Sequence, residues 1–250
     1  MSSERLIGVE SSAVSVLKRA VEHDTQCRLT SALVCYQEGI QLLMDVLKGT
    51  SDEVKRNHIR TRVKSYMDRA EEIKRLVQKE KDAGTYNEKI HVPEGGRGFG
   101  YDTLLGQLLD SAVRCVEVED PYIIAVHQIQ NFVRLCELLL SKCSNLNRID
   151  LLTKADERGS PVEQQERFNQ LSESLRKHGV SLNVTYSVTL HDREIRFDTG
   201  WVVKIGRGLD YFKPSPSRFS VGTFDLNLRE CHETTVNIFH RNYLRATTAS

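Results

Sequence analysis

The sequence predicts a protein of α + α/β class, with an N-terminal antiparallel three-helix bundle followed by an α/β domain with a mixed sheet. Three observations lead to this fold class. Amphipathic helix patterns fill residues 1–81, a Gly/Pro cluster follows at 93–98, and strand and helix patterns alternate beyond it. We therefore place the bundle at residues 8–82, a linker at 83–98 and the second domain at 99–245.

Each helix of the bundle carries apolar residues spaced three and four apart, which is typical of a helix with one buried face. The first helix is predicted to begin near Ser11 or Ser12, the second after Thr30, and the third at the capping residue Asp52. The predicted stripes are Val14, Leu17 and Val21 with Ala13 and Ala20 beside them; Leu33, Tyr36, Ile40, Leu43 and Leu47; and Ile59, Val63, Tyr66, Ala70, Ile73 and Val77. Three helices joined by short turns leave a groove where a fourth helix would fit.

The second domain is predicted to alternate between helices and strands. Its helices are expected at residues 101–110, 124–140 and 162–178, and its strands at 113–118, 148–152, 180–186, 191–197 and 201–205. The last two strands form a hairpin around Asp198-Thr199-Gly200. This order is typical of an α/β domain.

Composition narrows the function classes. The chain has 35 Lys and Arg against 34 Asp and Glu, so bulk charge does not predict nucleic acid binding. Mean hydropathy is −0.41, no apolar run approaches the ~20 residues of a membrane span, and no signal peptide is predicted. The six cysteines form no C-x-x-C pair and no zinc spacing, which predicts reduced cytosolic thiols, no metal and no cofactor.

The third helix carries the most informative pattern. Met67 lies beside the core stripe and is flanked by the carboxylates of Asp68 and Glu71. An apolar residue next to carboxylates at a groove edge suits a partner helix with leucines and a basic residue. The alternative is that Met67 is core and that the two carboxylates form a solvated face.

Three segments, at residues 19–24, 32–40 and 66–73, closely resemble the three helices of MIT domains in order and spacing. The resemblance covers roughly residues 10–80. It implies that the groove between helices two and three binds helical C-terminal tails of ESCRT-III subunits. Met67 and Ala70 would then line a pocket opposite Ile40, Met44 and Leu47. Asp68 would pair with an arginine of the ligand, assisted by Glu71.

The second domain contains one degenerate catalytic motif. His191, Arg193 and Asp198 fit H-x-R-x-x-x-x-D, which resembles the H-x-K-x-x-x-x-D motif of the phospholipase D superfamily. That chemistry needs a second histidine to protonate the leaving group, so active members carry two copies or dimerise. This chain has one copy, and arginine replaces the lysine. The alternative is a polar strand in a hairpin.

Residues 118–123, 127–132, 191–197 and 201–212 resemble the C-terminal domain of MIT-domain proteins. The resemblance implies a phospholipase-D-like fold without catalysis, binding to acidic membranes, dimerisation and a role in abscission during cytokinesis. It also implies a peripheral location on the late endosome membrane and at the midbody. The basic residues that suit lipid are Arg193, Lys204, Arg207 and Lys213, with Arg196 and Arg218 nearby. The alternative is ordinary surface charge balanced by Asp192, Glu194 and Asp198.

The sequence therefore predicts a cytosolic, non-enzymatic ESCRT-III adaptor that contacts membrane and forms a homodimer. Two alternatives stay open. One is a dimeric phosphodiesterase that uses His191, and the other is a protein scaffold with no lipid contact.

Overall fold

A computed structural model of the chain describes residues 3–157, 159–217 and 219–241, with side chains from Leu6 onward. The chain divides into two compact units, whose boundary in sequence lies between Glu88 and Lys89. The predicted combination of a helical bundle and an α/β domain is confirmed. Each unit is described by itself below.

The first unit is built from three helices: α1 at Ser3–Thr25, α2 at Leu29–Gly49 and α3 at Glu53–Asp82. Asp52 caps α3 as predicted, because its carboxylate accepts hydrogen bonds from the backbone N–H groups of Val54 and Lys55. The buried residues of α3 are Ile59, Val63, Ala70, Ile73 and Val77, which follow the predicted stripe.

The start of α1 differs from the prediction. The helix begins at Ser3, and the Ser12 hydroxyl donates to the carbonyl of Gly8 at 3.0 Å, one turn back. Ser12 is thus an interior helical residue and not a cap. The buried face is also rotated: Val14 and Val21 are exposed, and the buried residues are Ala13, Val16, Leu17 and Ala20.

Small residues explain this rotation. In α2, a Cβ atom on Gly39 would lie 2.5 Å from Cγ of Leu17, so only glycine permits this approach between the two helices. Ala13 and Ala20 are fully buried one turn on either side of Leu17. The interface between α1 and α2 is therefore formed by small side chains. The prediction was based mainly on large apolar residues and so did not find this face.

A buried carboxylate lies at the end of the first unit. Glu88 accepts hydrogen bonds from the hydroxyls of Thr30 and Tyr86, at 2.5 and 2.9 Å. All three side chains are buried. Burial raises the pKa of Glu88 above its ordinary value of 4.5, because the charged form is poorly solvated.

This environment predicts a pH-dependent stability. Because the folded unit binds the Glu88 proton more tightly than the unfolded chain does, the associated stability is present below pH 4.5 and is lost as the pH rises through the folded pKa. We expect Glu88→Gln to remove this dependence. Denaturant unfolding of both proteins should give free energies that diverge as the pH rises above 4.5, with the variant relatively more stable. A difference that stays constant with pH would contradict this.

The second unit contains a seven-stranded mixed sheet. The strands of this sheet are β1 at Asn87–Val92, β2 at Cys115–Glu119, β3 at Arg148–Thr153, β4 at Ser181–Tyr186, β5 at Glu194–Phe197, β6 at Trp201–Ile205 and β7 at Thr234–His240. The first two residues of β1, Asn87 and Glu88, precede the boundary and belong to the first unit. The helices of the second unit are α4 at Tyr101–Leu105, α5 at Val126–Lys142 and α6 at Pro161–Lys177, with 3₁₀ turns at Gly106–Leu108 and Leu226–Leu228. The strand order is β1-β7-β6-β5-β2-β3-β4.

The sheet has a parallel part and an antiparallel part. Strands β2, β3 and β4 are parallel, and α5 and α6 connect them. The remaining named pairs, β2–β5, β5–β6 and β6–β7, are antiparallel. Phe132 of α5 and Phe168 of α6 are both buried and meet edge to face at 6.4 Å. This contact packs α5 against α6 in the core of the unit.

Two strands were not predicted. The segment 83–98, predicted as a linker, contains β1, whose outward residues are polar and whose inward residues include Glu88. A charged residue at an inward position hid the alternation. Strand β7 alternates as Thr234, Val236 and Ile238, and completes the antiparallel half of the sheet.

Candidate functional site

The first candidate site is the face that α2 and α3 present to solvent. Met67 and Met44 have 52% and 37% of their surface exposed, although both are apolar. Ile40 and Leu47 are half-buried, and Ala70 is buried beneath them. The alternative that Met67 is core is therefore wrong.

Two contacts define the register of α2 against α3. The rings of Tyr36 and Tyr66 lie 5.9 Å apart, and Nη1 of Arg56 donates to the carbonyl of Leu47 at 3.5 Å. Tyr36 therefore lies across from Tyr66, the residue before Met67. Leu47 lies near the start of α3, roughly 16 Å further along at 1.5 Å per residue. The predicted residues thus form one elongated strip, long enough for about three turns of a bound helix, and not a single pocket.

The charged side chains of α3 next to Met67 differ in their contacts: Arg69 is paired, whereas Asp68 and Glu71 are exposed. Arg69 makes two hydrogen bonds to Asp24 of α1, at 2.7 and 2.8 Å, and the hydroxyl of Tyr36 adds a third at 3.1 Å. These bonds, those from Arg69 foremost, hold the pKa of Asp24 below its usual value. Asp68 and Glu71 are exposed, and within the described part of the chain neither has a hydrogen bond or an ion pair.

The degenerate catalytic motif is not assembled. His191 is exposed in the loop before β5, and Asp198 lies beyond the other end of that strand, where it accepts from the backbone N–H of Arg114 at 3.2 Å. Arg193 donates to the carbonyl of Gly206 at 2.5 Å and lies over the ring of Tyr122. Its guanidinium group is therefore held by contacts within the second unit.

The second candidate site is a cavity of about 630 Å³ beside the start of α5. Its lining contains four cationic side chains, two histidines and one carboxylate: Arg134, Arg207, Lys213, Arg229, His127, His232 and Asp210. Arginine remains protonated at neutral pH, so this lining is strongly positive. Burial lowers the pKa of Arg229, and the positive charge of Arg134 nearby lowers it further.

The predicted lipid-binding residues separate into two groups. Arg207 and Lys213 line the cavity. Lys204 instead pairs with the buried carboxylate of Glu194 at 3.0 Å, and Arg193 is engaged as described. The cavity therefore brings together two of the four predicted residues, Arg207 and Lys213. Arg218 lies outside the described residues.

Sequence reasoning missed Arg134 and Arg229, which come from α5 and from the segment before β7. They are far apart in the chain and share no motif, so no local signal could join them. His127 also lines the cavity, and its Nε2 lies 3.2 Å from Oδ2 of Asp210. Among the described residues, no three His, Cys, Asp or Glu side chains are grouped to hold a metal ion, and no helix is long and apolar enough to cross a membrane.

The two units define a class of protein: a three-helix bundle with an exposed apolar strip, followed by an α/β domain with a mixed sheet. Residues 10–75 match the MIT (microtubule interacting and transport) domain, and residues 98–240 match the phospholipase D-like domain at the C-terminus of MIT. The chain is also 49% identical over 233 residues to mouse MIT domain-containing protein 1, covering 93% of this chain and 94% of that protein. The chain therefore belongs to the family of MIT-domain proteins with a C-terminal phospholipase D-like domain, and the predicted resemblance is confirmed.

Proposed function

We propose that this protein is an adaptor that binds helical C-terminal tails of ESCRT-III subunits in the groove between α2 and α3. One observation carries the proposal: exposed Met67 lies beside two carboxylates, Asp68 and Glu71, that have no partner among the described residues. A tail helix with leucines on one face and an arginine at its edge satisfies both features.

The size of the strip sets the expected affinity. Each leucine that the tail buries contributes about 1.5–3 kcal/mol before the cost of ordering is subtracted. A disordered tail must fold as it binds, which removes a large part of this gain. We therefore expect dissociation constants in the micromolar range.

Charge reversal at Asp68 tests the proposal. Asp68→Lys places like charge against the arginine of the tail, and we expect binding to weaken about tenfold. Calorimetric titration of the full chain with synthetic ESCRT-III tail peptides measures the change. Glu38→Lys is the matched control, because Glu38 is exposed on α2 but lies two residues from Ile40, on another side of that helix. Equal weakening in both variants would indicate a bulk charge effect and contradict the groove.

The second unit supplies the membrane contact in this proposal. Its support is the cluster of cations around the cavity, since each lysine or arginine near an anionic surface contributes about 1 kcal/mol. By family resemblance, we propose that the protein is cytoplasmic, associates peripherally with late endosomes and the midbody, forms a homodimer and acts in abscission during cytokinesis. A sedimentation experiment on the full chain tests the dimer directly.

We propose that the second unit acts without catalysis. The alternative of a dimeric phosphodiesterase requires His191 at a phosphate site, but His191 does not line the cationic cavity. We expect no hydrolysis of lipid or nucleic acid phosphodiesters by the full chain, and no difference between wild type and His191→Ala. Turnover by wild type that His191→Ala abolishes would establish the enzyme instead.

A further inference from the structure

An apolar loop projects from the second unit at residues 219–224. Phe219, Val221 and Phe224 have 99%, 83% and 84% of their surface exposed. These are the three most exposed large apolar side chains among the described residues. Soluble proteins rarely leave two phenylalanines this accessible within six positions unless the surface has a partner.

Hydrogen bonds hold the base of this loop. The hydroxyl of Thr223 lies 2.7 Å from that of Ser215 and 2.7 Å from the carbonyl of Ser220. Gly222 has φ +87°, and a Cβ atom there would lie 3.0 Å from the carbonyl oxygen of Leu228. The loop is therefore shaped by its own polar atoms, while its apolar side chains point to solvent.

The same loop contributes Thr223 to the lining of the cationic cavity. Arg229 donates to the carbonyls of Gly222 and Thr223, at 2.6 and 2.5 Å, and Arg134 donates to that of Thr223 at 3.2 Å. Both arginines and Thr223 line the cavity. The positively charged cavity and the apolar tip thus belong to one continuous structure.

Arg207 completes the charge of the cavity. Within the described residues, its guanidinium has no hydrogen bond or ion pair, whereas Lys213 pairs with Glu94 at 2.9 Å. Asp210 is the carboxylate of the lining, and hydrogen bonds from Gln128 and Asn131 engage it. A free guanidinium facing a positive cavity suits an anion with several oxygen acceptors, such as a phosphomonoester.

We infer that loop 219–224 inserts into the apolar layer of a membrane while the phosphomonoester of a lipid headgroup occupies the adjoining cavity. This inference rests on the proposed membrane contact and specifies its geometry. The occupant is a bilayer, and not a soluble anion, because an anion alone would leave both phenylalanines in water. Insertion places the apolar tip about 5–10 Å deep, at the level of the headgroup–acyl boundary.

Vesicle flotation of the full chain tests the two parts separately. The vesicles contain phosphatidylcholine alone, or phosphatidylcholine mixed with phosphatidylserine or with phosphatidic acid at equal surface charge; phosphatidic acid carries a phosphomonoester. We expect wild type to float best with phosphatidic acid. The double variant Phe219→Ser/Phe224→Ser should weaken binding to both acidic vesicles by about tenfold or more. Arg207→Gln should remove the preference for phosphatidic acid. The controls Val188→Ser and Lys177→Gln change an exposed apolar and an exposed cationic residue that do not line the cavity, and should behave as wild type.

Tryptophan fluorescence reports insertion directly. Phe224→Trp places an indole in the loop, and the natural Trp201 is buried. We expect brominated lipids to quench Phe224→Trp but not the control Val188→Trp.

Absent quenching, or wild-type binding by the loop variants, would overturn the inference while leaving the membrane contact intact. Failure of wild type to bind any acidic vesicle would overturn both. Inositol hexakisphosphate in excess should compete for the cavity and abolish the preference for phosphatidic acid. A soluble ligand would be identified instead if the loop double variant bound this anion fully while wild type bound no vesicle.

Discussion

Replacing Met67 with aspartate is expected to abolish binding of ESCRT-III tails, with affinity falling about 100-fold or more. The substitution puts a carboxylate in the middle of the apolar strip, where a bound tail would bury it without a partner. It also adds a third negative charge beside Asp68 and Glu71. Because Met67 is half-exposed in the free protein, the bundle itself should remain folded. Fluorescence anisotropy with labelled tail peptides measures the loss, and circular dichroism checks the helices.

The matched control for this variant is Val54→Asp. Val54 is also an exposed apolar residue of α3, but it lies in the first turn and on a different side of the helix from Met67. An aspartate near a helix N-terminus is well tolerated. We expect wild-type affinity for Val54→Asp. Retained binding by Met67→Asp, or equal loss in both variants, would mean that tails bind elsewhere.

Replacing Gly208 with alanine is expected to destabilise the second unit by about 3 kcal/mol or more. Gly208 has φ +67°, a conformation that alanine adopts only with strain, and an added Cβ would collide with the carboxylate of Asp120. Asp120 is buried and accepts hydrogen bonds from the backbone N–H groups of Leu209 and Tyr122, at 2.8 and 3.0 Å. Moving that carboxylate leaves buried polar groups unpaired. Denaturant unfolding followed by the buried Trp201 measures the effect.

Gly106→Ala provides the control for the second unit. Gly106 has φ −51°, and a Cβ atom there would have no neighbour within 4 Å. We expect a change within about 1 kcal/mol, in the direction of stabilisation, because alanine restricts the unfolded chain. Similar losses at both glycines would show that the close approach to Asp120 is not the cause.

The helices of the bundle could be predicted because periodicity reports burial directly. The stripe of α3 is nearly complete from the sequence, since its buried residues are large and apolar. The face of α1 could not be predicted in the same way, because Gly39 and two alanines set it. In the sheet, β1 escaped prediction because Glu88 occupies an inward position, where its hydrogen bonds replace the apolar contact that the pattern requires.

The two candidate sites differ in how much of each could be predicted from the sequence. Met67, Asp68 and Glu71 are neighbours on one helix, so spacing alone places them together. The register of α2 against α3 comes from packing, which places Tyr36 against Tyr66, so spacing within either helix does not predict it. Arg134 and Arg229 meet only after the sheet has formed, so no local pattern predicts their cavity.

Gly39 has a consequence for how the groove can vary between related proteins. This glycine faces Leu17 of α1, and it sets how near α1 and α2 approach. A larger residue there would shift α2 as a whole, and α2 forms one wall of the proposed tail groove. Selection for a particular tail can therefore act on buried positions as well as on the exposed strip, so two proteins with identical contact residues need not share a preferred partner.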